Sequence, residues 1–128
     1  MTMLIDDSIL FDLLLGNPQA LEWLVIQRDL SISVLSVAAI QSECRPWETH
    51  QLQPWLEGFQ WLPVDASIAA AAGALSQQSP LPLQDAVLLA TARAHGLRLA
   101  TVRTRRFPLS LRDVVHAYQR NTSPAASS

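Results

Sequence analysis

Two aspartates stand where they could do chemistry. Asp6 ends a short apolar run, Met3–Ile5, and Asp85 opens a predicted helix after the rigid Pro80-Leu81-Pro82 segment. Hard divalent cations such as Mg²⁺ take oxygen ligands, and carboxylates at element ends supply them without disturbing a core. Taken alone, Asp7 and Asp85 have a simpler account as acids that cap a helix and interact with its dipole. A second group is basic. Arg98, Arg103, Arg105, Arg106 and Arg112 lie close together, and all nine basic residues of the chain are arginine. Guanidinium groups hold phosphate oxygens through paired hydrogen bonds, although a solvated surface face has the same composition. The net charge of −2 hides an asymmetry: residues 1–65 carry −7 and residues 66–128 carry +5.

The elements that must position these groups follow from pattern. At 128 residues and 49% hydrophobic composition, the chain suits one domain with a sizeable core. No apolar stretch is long enough to cross a bilayer, and the N-terminus lacks a basic flank, apolar run and cleavage site. A soluble, cytoplasmic protein is expected. Cys44 is the single cysteine, which excludes an intrachain disulfide and reads as a buried structural thiol in a reducing compartment. After Met3–Ile5, Asp7 or Ser8 caps a helix over 9–15 that Gly16 stops. Asn17 caps the next, with Pro18 in its first turn, running to about Gln27. Residues 30–35 read as a buried strand, and Ser36 caps a helix over 37–43. Residues 46–59 read as two helical pieces, because Pro54 belongs at a helix start. A strand over 60–64, a helix over 66–78 capped by Asp65, a helix from Asp85 to His95 and a strand over 97–101 complete the pattern. Residues 109–119 fit either a strand and a helix or one helix.

Strands alternating with helices imply an α/β domain over residues 1–120, with a parallel sheet of four to five strands flanked by helices and a polar tail at 121–128. Chemistry in such sheets gathers at the carboxyl ends of the strands, where Asp6, Asp7 and Thr101 fall and toward which Asp85 can point. Receiver domains share adjacent acids after a first strand but need a lysine, and the chain has none. Haloacid-dehalogenase-type phosphatases need two aspartates with one residue between them, which Asp6-Asp7-Ser8 does not supply. His50, His95 and His116 have no metal-ligand spacing and read as surface or helix-end residues. Trp47, Trp55, Phe59 and Trp61 crowd one short stretch, as core packing or as a groove for a partner helix.

Four blocks, in order, resemble PIN domains, particularly the VapC-type toxins of toxin–antitoxin pairs. These are Leu4-Ile5-Asp6-Asp7-Ser8-Ile9-Leu10, Ile32-Ser33-Val34-Leu35-Ser36-Val37-Ala38-Ala39-Ile40, Leu81-Pro82-Leu83-Gln84-Asp85-Ala86-Val87-Leu88, and Gly96-Leu97-Arg98-Leu99-Ala100-Thr101 followed by Arg105-Arg106-Phe107. Leu62-Pro63-Val64-Asp65 with its Ala-rich helix is similar to the middle section of that family. The resemblance covers roughly residues 3–107.

The resemblance implies three or four acids that bind Mg²⁺ or Mn²⁺ for hydrolysis of RNA, a homodimer, and an antitoxin partner. By position it carries over Asp6 and Asp85 as catalytic and metal-binding acids. Ser8 and Thr101 are supporting hydroxyls that could hold a metal-bound water. Two family positions depart. The second acid falls at Ala39, and the fourth falls at Arg103, a permanent cation. Glu43, one helical turn beyond Ala39, is a candidate replacement ligand or a plain surface residue. Arg103 is expected within ion-pair reach of Asp6 or Asp85, and Arg105 and Arg106 are candidate phosphate-binding or site-neutralising groups. Two functions follow: a metal-dependent endoribonuclease with weakened or lost activity, or a non-catalytic module that binds protein or RNA.

Overall fold

Side chains alternate along strand β1 (Met3–Ile5), and that alternation divides the molecule into layers. Leu4 packs with Ile68, Leu88, Leu89 and Leu99 on one face of the sheet, while Ile5 packs with Ile9, Ile32, Leu56 and Ala100 on the other. A strand buried on both faces needs cover on both sides, which a parallel sheet with helical crossovers provides. The computed structural model describes residues 3–103, 105–107 and 111–120. Five strands, β1, β2 (Ser31–Ser33), β3 (Gln60–Leu62), β4 (Arg98–Thr101) and β5 (Val114–His116), form one sheet in the order β3-β2-β1-β4-β5. Every pairing is parallel, with Ile5 opposite Ile32 on one side and Ala100 on the other. Helices α1 (Asp7–Leu14), α2 (Pro18–Val25), α3 (Val34–Glu43) and α4 (Pro46–Gly58) supply the Ile5 side of the core; α5 (Ala66–Gln78) and α6 (Leu83–Ala94) supply the Leu4 side. No described helix is long and apolar enough to cross a membrane.

Local signals set most boundaries, and several differ from expectation. Gly16 and Gly96 hold φ of +79° and +66° after α1 and α6, a conformation glycine adopts without strain. Asn17 caps α2 and Asp65 caps α5 as read from sequence, through bonds to the backbone N–H groups of Gln19 (2.9 Å) and Ile68 (2.8 Å). The cap of α1 is Asp6, not Asp7 or Ser8. Likewise α3 begins three residues early: Ser33 accepts from the Leu35 backbone at 3.1 Å, and Ser36 is a buried helical residue. Val34 and Leu35 carry strand-like side chains, but the cap bond ends the strand before them. Residues 46–58 form one helix through Pro54 rather than two pieces. Pro54 and His50 both lie on the exposed side, so water can reach the carbonyl that proline leaves without a donor.

Of the undecided stretch 109–119, residues 114–116 form β5, and no helix occurs among its described residues; the tail 121–128 lies outside them. The C-terminal segment is tied back to α1 by Asp12, which is buried and accepts from Tyr118 Oη (2.9 Å) and Arg120 Nε (3.0 Å). Burial, then the bond to Asp12, pushes the Tyr118 phenol up.

Phe107 is fully buried in the Leu4-side core and closes the turn that leaves β4, with its backbone N–H on the Arg103 carbonyl at 3.2 Å. His116 reaches the same turn: its Nε2 lies 2.7 Å from the Phe107 carbonyl. His116 is thus a half-buried strand residue, whereas His50 and His95 are exposed as expected. Phe107→Ala should lower unfolding free energy by about 3–5 kcal/mol in urea titration, the usual cost of an emptied aromatic site. A loss below about 1 kcal/mol would show that the turn is not anchored through this ring.

Candidate acidic site at the carboxyl edge of the sheet

The strand order reverses at β1. From β1 the chain builds outward through β2 to β3, then returns across the sheet to place β4 on the other flank of β1. Crossovers leave β1 and β4 in opposite directions, so a crevice opens beyond their carboxyl ends. Asp6 is the first residue past β1, and its backbone N–H still bonds the Ala100 carbonyl at 3.0 Å. Thr101 ends β4. Helix α6 runs back toward the start of β4, so its first turn, about 18 Å before its end, brings Asp85 to the same edge.

Asp6 is fully buried and bound on both oxygens. Its Oδ1 accepts from the Ser8 backbone N–H at 3.1 Å and from the Ser8 hydroxyl; its Oδ2 accepts from the Thr101 hydroxyl at 2.5 Å. The two hydroxyls are secured in turn, Ser8 Oγ by the Val102 N–H (3.4 Å) and Thr101 Oγ1 by the Arg103 N–H (2.9 Å). Ser8 and Thr101 thus orient the Asp6 carboxylate itself.

Arg103 turns back over this group. Its Nη1 and Nη2 donate to the two oxygens of Asp7 at 2.9 and 3.3 Å, a forked pair. The same Nη1 stands 3.9 Å from Asp6 Oδ2 and 4.0 Å from Asp85 Oδ1. Asp85 is fully buried, and among the described residues no well-formed hydrogen bond reaches either of its oxygens. Arg106 Nη1 lies 3.5 Å from Asp85 Oδ2, an ion pair without a well-formed hydrogen bond.

Burial dominates the electrostatics. It raises the Asp6 carboxyl from 3.8 to about 6, against the bonds from Ser8 and Thr101 and the charge of Arg103; the neighbouring Asp7 adds to the rise. Burial likewise pushes Asp85 up, with Arg106 and Arg103 pulling the other way. For Arg103, burial disfavours the charge, yet Asp7, Asp6 and Asp85 outweigh it and hold the guanidinium above its ordinary range.

The structure therefore gathers Asp6, Asp85, Ser8, Thr101, Arg103 and Arg106 at one edge. Glu43 and Arg105 are exposed, and among the described residues neither makes a hydrogen bond or ion pair. Ala39 is half-buried on α3 and offers only a methyl group. Sequence reasoning placed Arg103 beside Asp6 and Asp85 but missed Asp7, its main partner. The available signal was adjacency: one helix N-terminus uses one of two consecutive acids as its cap, which frees the other. Elsewhere, Trp55 and Phe59 pack against the Ile5-side core, while Trp47 and Trp61 remain exposed at 56% and 45%. Cys44 is half-buried, its thiol pushed up by burial and then by Glu48 and Glu43.

A parallel five-stranded α/β domain with acids converging at its switch point is the architecture of the PIN domain, and residues 3–108 match the model of that family. The chain belongs to the PIN-domain family. It is 31% identical over 115 residues to ribonuclease VapC10 of Mycobacterium tuberculosis, covering 84% of this chain and 86% of that protein. A toxin–antitoxin complex from Klebsiella pneumoniae superposes with a TM-score of 0.83 at 29% identity, over 92% of this chain and 99% of the other. VapBC2 of Rickettsia felis, bound to a DNA fragment from its promoter, shares the fold at a TM-score of 0.70 and 16% identity, over 90% and 96% of the two chains.

PIN-domain ribonucleases generally use divalent metals, so the fit of such an ion to these residues can be tested. Mg²⁺ needs oxygens at about 2.0–2.1 Å in near-octahedral order. Here three carboxylates surround a guanidinium nitrogen at 2.9 to 4.0 Å. Among the described residues, no three His, Cys, Asp or Glu side chains are grouped to hold a metal. As arranged, the site fits a guanidinium and not a divalent ion.

Because Asp6 holds its proton more tightly folded than unfolded, its contribution to stability is full below pH 3.8 and lost as pH rises to about 6. The loss amounts to about 3 kcal/mol. A ¹³C titration of the aspartate carboxyls should give Asp6 a midpoint near 6. Arg103→Ala removes a cation that favours the carboxylate and should move that midpoint higher. An Asp6 midpoint in the ordinary aspartate range would mean that its hydrogen bonds outweigh its burial.

Proposed function

We propose that this chain is a toxin-type PIN domain of the cytoplasm, pairing with an antitoxin protein, in which metal-dependent hydrolysis of RNA is weakened or lost. One observation carries the reading: the Arg103 guanidinium stands 2.9, 3.9 and 4.0 Å from the carboxylates of Asp7, Asp6 and Asp85, where the family's chemistry calls for a metal. A divalent ion would supply an activated water and neutralise charge developing on the phosphate. A guanidinium tethered to the chain supplies charge alone. Ala39 compounds the deficit, since the family places a carboxylate there.

The antitoxin partner is supported by structural neighbours that are toxin–antitoxin complexes. Exposed aromatic surface at Trp47 and Trp61 suits a partner helix. A homodimer belongs to the same reading, with Leu15, Leu21, Val25 and Ile26 exposed along α1 and α2 as the apolar surface to be covered. The second reading, a module that binds protein or RNA without cleaving, has the exposed Arg105 and Arg106 beside the site in its favour. RNA binding without cleavage, unchanged by Asp6→Asn, is its signature.

Purified protein with Mg²⁺ or Mn²⁺ should cleave RNA weakly or not at all. Positioned catalytic groups contribute about 10²–10⁴-fold each, so the loss of two is severe. The double variant Ala39→Glu with Arg103→Asp should raise cleavage, and Asp6→Asn in that background should abolish it, which excludes a contaminating nuclease. Robust cleavage by the natural sequence that Asp6→Asn removes overturns the reading.

A further inference from the structure

Asp7 is the acid that neither capping nor the family pattern explains. Asp6 caps α1, so Asp7 is free of that duty, yet it is only 2% exposed. Both its oxygens are taken by Arg103. The Nη1 atom that Asp7 grips also stands 3.9 Å from Asp6 Oδ2 and 4.0 Å from Asp85 Oδ1. Asp85 is fully buried, without a well-formed hydrogen bond among the described residues, and two guanidiniums compensate it, Arg106 Nη1 at 3.5 Å and Arg103 Nη1 at 4.0 Å. Three carboxylates this deeply buried around one nitrogen require a cation at that point, because an uncompensated buried charge costs several kcal/mol.

We infer that Asp7 is the third acid of the site, and that Asp6, Asp7 and Asp85 form a cation cage in which Arg103 and an external divalent cation exclude one another. The inference rests on the reading that Arg103 closes the site, and it adds which acid completes the site. Glu43, which sequence offers either as a replacement ligand or as a plain surface residue, is exposed. Removal of the guanidinium leaves three carboxylates that can draw together on a smaller, doubly charged ion. Asp7 is then a ligand where before it was an anchor.

The test is Mn²⁺ binding, read by electron paramagnetic resonance and by thermal unfolding with Mn²⁺ or with chelator, so no readout depends on activity. In the natural chain the melting temperature should be the same in both conditions. Arg103→Ala should bind Mn²⁺ at least about tenfold more tightly, since affinity for hard cations follows the charge count of the site, and its melting temperature should rise with Mn²⁺. Adding Asp7→Asn should return about tenfold of that affinity, whereas adding Glu43→Gln should leave it unchanged. Arg103→Gln, closer in volume, is measured in parallel in case the alanine variant does not fold in chelator. If Arg103→Ala binds Mn²⁺ tightly and Asp7→Asn has no effect, Asp7 is not the third acid, although Arg103 still closes the site. If neither Arg103 variant gains affinity or stability from Mn²⁺, or both stay unfolded with it, the cage and the closed-site reading fall together.

Discussion

A carboxylate removed from water must be neutralised, hydrogen-bonded or protonated, and three of them meet at one edge of this sheet. The structure combines these remedies in a different proportion for each acid. Asp6 receives three hydrogen bonds, yet burial pushes its carboxyl up to about 6. Asp7 receives a forked guanidinium. Among the described residues Asp85 receives no well-formed hydrogen bond, and the fields of Arg106 and Arg103 offset its burial. The single atom common to the three is Arg103 Nη1, so the conformation of the turn after β4 depends on where that nitrogen must sit.

The fold serves this constraint from both sides. The pairing of β1 with β4 sets Asp6 beside Thr101. The helix that starts directly from Asp6 keeps Asp7 and Ser8 within one turn of it. Two residues past Thr101 the chain must reverse, and Phe107, buried in the Leu4-side core, pins the far end of that turn. Packing thus fixes both ends of a loop whose middle carries the arginines. Loss of apolar anchoring there would be felt as a change in electrostatics, because the acids are buried beneath that loop's arginines.

Much of this was legible from residue order. Strands alternating with helices predict a parallel sheet covered on both faces, and the glycines and the Asn17 and Asp65 caps mark their helices correctly. The errors have one physical cause: choices between adjacent residues that local pattern cannot rank. Ser33 and Ser36 are equally good caps by composition, and only the β2–β3 pairing at Ser33 decides where the strand ends. Asp6 and Asp7 pose the same choice, settled by the β4 residues that Asp6 must meet. Pro54 breaks a helix only where its missing donor is felt, and on an exposed face water makes up the deficit. Convergence of Asp85 with Asp6 over 79 residues of chain was inferred from the family pattern and from strand-end logic; the latter also places Asp7 at that edge, but neither says that Asp7 would take the Arg103 fork.

The identity of the resident cation matters as much as its charge. A lysine at position 103 would carry the same formal charge, but its ammonium loses a proton readily when buried, whereas a guanidinium remains charged. It would also lack the planar fork that takes both oxygens of Asp7 while leaving Nη1 facing Asp6 and Asp85. A divalent ion would neutralise more charge, yet it exchanges with solvent, and its occupancy follows its concentration. The tethered guanidinium has no such dependence. A cage with a solvent-borne cation is a site whose contents can be shared with a phosphate oxygen; a cage filled by its own chain is held together whether or not metal is present. In this molecule the acids hold a permanent counter-ion at the place where a bound metal would leave an open coordination position.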